Sequence, residues 1–143
     1  MPPFTTIIFD FGGVITSSPF EAFNVMEAQR ALPHNLVRQI NAANPDGNAW
    51  AQFERADIDA AAFDALFAQE ARALGHDLPG RDVIACLSGD VRAAMVAEMD
   101  ALKAEGYRLA CITNNVPAGK GAGMAFDDAR AAAVADAMAR FDH

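Results

Sequence analysis

With 143 residues, 52% of them hydrophobic and 21% charged, the chain is long and apolar enough for one folded domain, with room for an insertion, and too apolar for disorder. A formal net charge of −8 argues against nucleic acid as a partner, because phosphate backbones are bound by clusters of Lys and Arg. A small phosphorylated molecule is compatible with this charge, since one cation and one metal ion can hold it.

The sequence shows no targeting signal and no paired-cysteine motif. The N-terminus has no basic leader, and no apolar stretch is long enough to cross a bilayer, so we expect a cytoplasmic protein with no membrane partner. Cys86 and Cys111 form no CxxC pattern and predict free thiols of a reducing compartment.

Residues 5–16 (TTIIFDFGGVIT) are the first predicted element. They form an apolar run rich in β-branched residues, which is typical of a buried parallel strand. Asp10 stands where the strand should end, and in an open α/β sheet ligands bind beyond the carboxyl ends of the strands. Gly12 and Gly13 then allow a sharp turn and a close approach of the backbone to a ligand.

Residues 17–88 predict helices only. Ser18, Pro19 and Glu21 have the spacing of a capping box, and Asp59 is a plausible N-cap of a later helix that stops at Gly75. The aromatic residues of this segment lie at helical spacing, which favours packing in a core over ligand contact. We expect a helical insertion directly after the first strand.

The chain then returns to the sheet. Asp90 is expected to cap a helix that ends at Gly106, and residues 107–113 (YRLACIT) predict a second buried strand beside the first. Thr113 and Asn114 close this strand. Asp127 and Asp128 are expected to begin a helix that runs through Arg140. Their negative charges are stabilised by the helix dipole at the N-terminus.

Two of these stretches, taken together, resemble a known family. Residues 9–14 (FDFGGV) resemble motif I of the haloacid dehalogenase-like (HAD) hydrolases, in the form found in the phosphatase domain of soluble epoxide hydrolases, and residues 111–115 (CITNN) resemble motif II. The resemblance covers about residues 5–116. It implies a doubly wound, Rossmann-like parallel α/β sheet. The core would be formed by residues 1–16 and 89–143, with a helical cap at 17–88.

The resemblance also implies a mechanism. Asp10 would be the nucleophile that forms an aspartyl-phosphate, and Thr113 and Asn114 would bind the phosphoryl oxygens. Mg²⁺ would be held by Asp10 and the backbone carbonyl of Gly12. The implied activity is a Mg²⁺-dependent phosphatase of small phosphorylated metabolites.

The sequence departs from the family at two points. Most family phosphatases have an acid at the position of Gly12, which protonates the leaving group, so a dehalogenase-type or C–P substrate stays open. The later Lys and acidic pair of the family have no counterpart after residue 115: we reject residues 124–128 (MAFDD) with Lys120 as that site, because βα units need a dozen or more residues. The chain therefore resembles the first two-thirds of the family's core.

Two alternative hypotheses for the function of the chain remain. One is a catalytically inactive remnant that acts by binding, with an incomplete sheet whose exposed edge could support an oligomer. The other is a phospho-accepting receiver domain, which predicts paired acids at the first strand and an acceptor Asp at a strand end in mid-chain. The sequence has neither the paired acids nor the acceptor Asp, which argues against a receiver domain.

Overall fold

The computed structural model describes residues 3–119 and 123–143. This part of the chain contains two strands and seven helices, in the order β1 (Thr6–Phe9), α1 (Pro19–Gln29), α2 (Leu36–Ala42), α3 (Ala49–Glu54), α4 (Ala60–Ala73), α5 (Gly80–Ala85), α6 (Ala93–Ala104), β2 (Arg108–Cys111) and α7 (Asp128–Met138). None of these helices is both long enough and apolar enough to span a bilayer.

The two strands form a parallel sheet. Thr6 is the partner of Arg108, and Phe9 is the partner of Cys111. The predicted α/β class is confirmed: the sheet is parallel, and six helices lie between its two strands in the sequence. Within the described residues the sheet has two strands, which agrees with the expected incomplete core.

Among the described residues, one face of this sheet is buried and the other is exposed. Ile7 and Phe9 pack against the hydrophobic core, whose fully or almost fully buried members are Phe11, Ile15, Met99, Leu109, Val134 and Ala137. Ile8, between them, points to the other face and is 60% exposed, and Ile112 is 68% exposed. The prediction of two buried strands therefore holds for one face only, because side chains alternate across a strand and the described residues leave the second face uncovered.

The chain divides into two compact units. The strand unit consists of the described residues of Met1–Ser18, Ser88–Asn114 and Gly119–His143, and the helical unit consists of Pro19–Leu87 and Asn115–Ala118. The helical unit contains α1–α5. Its helices form because local signals agree with packing: Asp59 caps α4 by accepting a hydrogen bond from the Ala62 N–H, as predicted.

An aromatic cluster forms the core of the helical unit. The ring of Phe63 lies 4.6 Å from Phe53, 5.4 Å from Phe67 and 6.0 Å from Trp50, between ring centroids. The interpretation of the aromatic residues as core is therefore confirmed for this cluster, whereas Phe20 is 53% exposed and does not belong to the core. Gly80 lets α5 approach α4 closely, since a Cβ at this position would lie 2.8 Å from the Asp64 Cα.

The predicted start of α6 was wrong. Asp90 does not cap this helix, which begins at Ala93 after Arg92. Instead Val91 forms an isolated antiparallel bridge with Thr16, and the Asp90 carboxylate pairs with Arg130 at 2.8 Å. Thr16 and Arg130 are both distant in sequence from Asp90 and Val91. The residues next to Asp90 therefore do not predict these contacts.

The last residues lie along β2. The Asp142 N–H donates to the Leu109 carbonyl at 2.7 Å, and the Cys111 N–H donates to the His143 carbonyl at 3.2 Å. The Asp142 carboxylate accepts from the Leu109 N–H, which lowers its pKa, and Lys103 adds to the effect. One edge of the sheet is therefore partly covered, and association through a sheet edge stays a prediction.

Candidate active site

Parallel pairing brings the two family-like motifs to one edge of the sheet. Because Phe9 pairs with Cys111, Asp10 and Ile112 follow at the same level, and the Ile112 N–H donates to the Phe9 carbonyl at 2.9 Å. Thr113 and Asn114 come next on the β2 side. The carboxyl ends of parallel strands are where open α/β sheets bind ligands.

A tight turn holds Asp10 at this edge. The Phe11 carbonyl accepts from the N–H groups of Val14, Ile15 and Thr16, at 3.2, 2.9 and 3.3 Å. Phe11 and Ile15 are fully buried, so the turn is anchored in the core of the strand unit. The backbone of the turn is thus fixed by hydrogen bonds and by packing together.

The two glycines of the turn differ. Gly13 has a φ of 79°, in the left-handed region that glycine adopts without strain. Gly12 has no positive φ, and a Cβ built there would meet nothing within 4 Å. The glycine requirement therefore belongs to Gly13, while open space beside Gly12 leaves room for a ligand.

The Asp10 carboxylate is exposed and partly oriented. Its Oδ1 accepts a hydrogen bond from the Phe11 N–H at 2.7 Å. A carboxylate has lone pairs for several partners, so its second oxygen can still act on a ligand. Thr113 is half-buried and Asn114 is exposed, and both lie in the strand unit with Asp10.

Cys111 was not predicted as a neighbour of this site. Burial raises the pKa of its thiol, and the negative charge of Asp10 raises it further. The strand register explains this position. In the parallel pair Cys111 lies opposite Phe9, one residue before Asp10. Both cysteines are free, as the sequence predicted.

Cys111 can therefore report on the charge of Asp10. In a Cys86→Ser background, we expect Asp10→Asn to speed iodoacetamide alkylation of Cys111 at about pH 8, because removing the nearby negative charge favours the thiolate. The pH profile of the rate should move to lower pH. Asp77→Asn, an exposed acid of the helical unit, is the matched control. An unchanged profile in Asp10→Asn would show that the two groups do not interact.

The donors at this edge fit a magnesium ion only when it is shared with a ligand. Among the residues that the structure describes, no group of three His, Cys, Asp or Glu side chains could hold a metal. The Asp10 carboxylate and the Gly12 carbonyl would hold the ion, and a substrate and water would have to supply its other ligands. Mg²⁺ is commonly bound this way, with one or two carboxylates, a substrate phosphate and several waters.

Among the described residues, Lys103 and Asp127 have hydrogen-bond partners that are not part of the candidate site. Lys103 donates to the Arg140 carbonyl and to the Asp142 carboxylate, at 2.8 and 3.1 Å. Lys120 lies outside the described residues. Asp127 caps α7 by accepting from the Arg130 N–H, as expected for a residue that begins this helix.

Comparisons with known proteins give little further guidance. No family model matches the sequence, and no curated protein matches it. A solved structure of a predicted HAD-like family hydrolase from Porphyromonas gingivalis is similar, with a TM-score of 0.43 and 19% sequence identity. The match covers 96% of this chain and 63% of that one, so this chain spans less than two-thirds of its length.

Proposed function

We propose that this chain carries the nucleophile of a HAD-like hydrolase, a phosphatase of small phosphorylated molecules that acts through Asp10. The observation that carries the proposal is the pairing of Phe9 with Cys111 in a parallel sheet. This pairing brings an exposed carboxylate to the same edge as the hydroxyl of Thr113 and the polar end of Asn114. The helical unit, inserted directly after the turn at Asp10, would serve as the cap.

The proposed chemistry is a displacement at phosphorus. The free oxygen of Asp10 attacks the phosphorus atom, the P–O ester bond breaks, and the leaving oxygen departs with its electron pair. Water then attacks the phosphorus of the aspartyl-phosphate, releasing inorganic phosphate and restoring the carboxylate. Thr113 and Asn114 orient the phosphoryl oxygens during both steps.

Two features of the site shape this chemistry. Mg²⁺, held by Asp10 and the Gly12 carbonyl, would neutralise charge on the transferred group. Gly12 provides no acid to protonate a leaving oxygen, and general acid catalysis is typically worth about 10²–10⁴-fold. Donors with a good leaving group, such as acyl phosphates, are therefore expected to react better than alkyl phosphates.

The test is covalent capture of a phosphoryl group. We expect the chain, incubated with acetyl phosphate and Mg²⁺, to gain the mass of one phosphoryl group on the peptide that contains Asp10. Asp10→Asn and removal of Mg²⁺ by a chelator should each abolish the gain, whereas Asp77→Asn should leave it intact. Labelling that survives in Asp10→Asn, or no labelling of the folded wild-type chain, would contradict the proposal.

The same samples separate an active hydrolase from an inactive relative that captures a phosphoryl group on Asp10 and does not release it. Steady release of inorganic phosphate that depends on Asp10 would indicate a hydrolase. Labelling without release would favour the inactive form. Slow release is the expected result, because the sequence has no counterpart of the family's later Lys and acidic pair.

A further inference from the structure

A small cavity in the helical unit is independent of the Asp10 edge. Its volume is about 260 Å³, and its lining comes from the end of α2, the α2–α3 turn and the last turns of α4, with the residues Ile40, Ala43, Asn44, Asn48, Glu70, Ala73 and Leu74. A cavity of about 150 Å³ holds a benzene molecule, so this one has room for a single ring with a short arm.

One wall of the cavity is preorganised by hydrogen bonds. Asn48 is 4% exposed, and its side-chain amide donates to the carbonyls of Asn41 and Ala43 at 2.8 and 2.9 Å. Its Oδ1 accepts from the Ala51 N–H at 2.8 Å. The turn that lines the cavity is therefore held in place without a ligand.

Glu70 leaves a buried oxygen without a partner. Its Oε1 accepts from the Ala49 N–H at 2.8 Å, whereas its Oε2 is buried and has no hydrogen-bond partner within the described chain. A buried acceptor without a partner costs free energy, and a charged one costs more. No Lys, Arg or His is among the cavity-lining residues to balance this charge.

We propose that this cavity binds a small organic ammonium ion with an apolar body. The ammonium group would donate to Glu70, after a small rotation that turns the carboxylate toward the cavity, and the apolar body would lie against Ile40, Ala73 and Leu74. Leu74 is 49% exposed, which suits an apolar side chain at the entrance. A charge-assisted hydrogen bond is stronger than a neutral one, so an amine is preferred over an alcohol of the same shape.

The test uses benzylammonium as the probe and NMR titration of the whole chain as the readout. We expect fast-exchange shifts centred on the amide of Ala49, which reports on the Glu70 carboxylate, and on the amides of the α2–α3 turn. Glu70→Gln keeps an acceptor for the Ala49 N–H and removes the charge, so it should weaken binding about tenfold. Ala73→Leu, a good helix former that fills the cavity, should abolish binding.

A ligand series on the wild-type chain gives an independent result that needs no variant to fold. Benzyl alcohol should bind about tenfold more weakly than benzylammonium, and benzoate should not bind. Equal binding of amine and alcohol, equal affinity in wild type and Glu70→Gln, or no shift at Ala49 up to the solubility of the probe would each overturn the proposal.

Discussion

Replacing Glu27 with alanine is expected to destabilise the helical unit by about 3–5 kcal/mol, because this side chain satisfies two backbone donors from inside the core. Glu27 is 1% exposed. Its carboxylate accepts from the Asn35 N–H at 2.7 Å and from the Val37 N–H at 2.9 Å. Alanine would leave the buried Val37 N–H and the partly buried Asn35 N–H without this partner.

The two donors lie at the N-terminus of α2. Asn35 occupies the N-cap position in a left-handed conformation, with φ at 65°, and its own side chain makes no capping hydrogen bond. Glu27 therefore takes the role of the cap from a different helix, α1. The first amide N–H groups of a helix have no hydrogen-bond partner within the helix, so a distant carboxylate can accept from them. Its negative charge also interacts favourably with the positive end of the helix dipole.

Urea unfolding followed by the fluorescence of Trp50, the single tryptophan, measures this effect within the helical unit. Glu27→Gln keeps one acceptor oxygen and should lose roughly half as much stability as Glu27→Ala. Gln29→Ala, at an exposed position of the same helix, should change stability by no more than about 0.5 kcal/mol. A loss below about 1 kcal/mol in Glu27→Ala would show that water can replace the carboxylate.

Replacing Phe63 with alanine is expected to cost about 3–5 kcal/mol, the range found for removing a buried aromatic ring. Phe63 is fully buried and contacts three other aromatic rings. Removing it leaves a cavity between α3 and α4, and the remaining rings can fill the cavity only by moving their helices. The favourable geometry of the ring pairs is lost as well.

Thermal unfolding monitored by circular dichroism tests this expectation. Phe63→Leu fills most of the cavity and should lose clearly less stability than Phe63→Ala. Val25→Ala, at a 56% exposed position of α1, is the control for an apolar side chain outside the core. If Phe63→Ala melted with the wild type, the aromatic cluster would not be the core of this unit.

Local signals in the sequence predicted the elements well. Asp59 was expected to begin α4 and does so, because a cap is formed by a side chain and an amide three residues apart. Asp127 begins α7 for the same reason. The order of elements, with helices inserted between two strands, also followed from local patterns of apolar residues and turn residues.

Expectations that depended on distant partners were less reliable. Asp90 has the composition of a cap, yet its carboxylate pairs with Arg130, forty residues later. Ile8 belongs to an apolar run, yet it is exposed, because burial depends on what covers the sheet and not on the strand itself. Neither partner is visible from the neighbours of these residues in the sequence.

The candidate sites show the same division. Asp10, Gly12, Thr113 and Asn114 could be named from the sequence because each motif is contiguous and ends a strand. Their meeting at one edge was decided by the parallel register of Phe9 with Cys111. Glu27 and Glu70 gave no signal, since the amides they bind lie 8 to 21 residues away. Propensity and capping act over a few residues and can be read from the chain, whereas the partner of a buried charge exists only after distant segments have packed together.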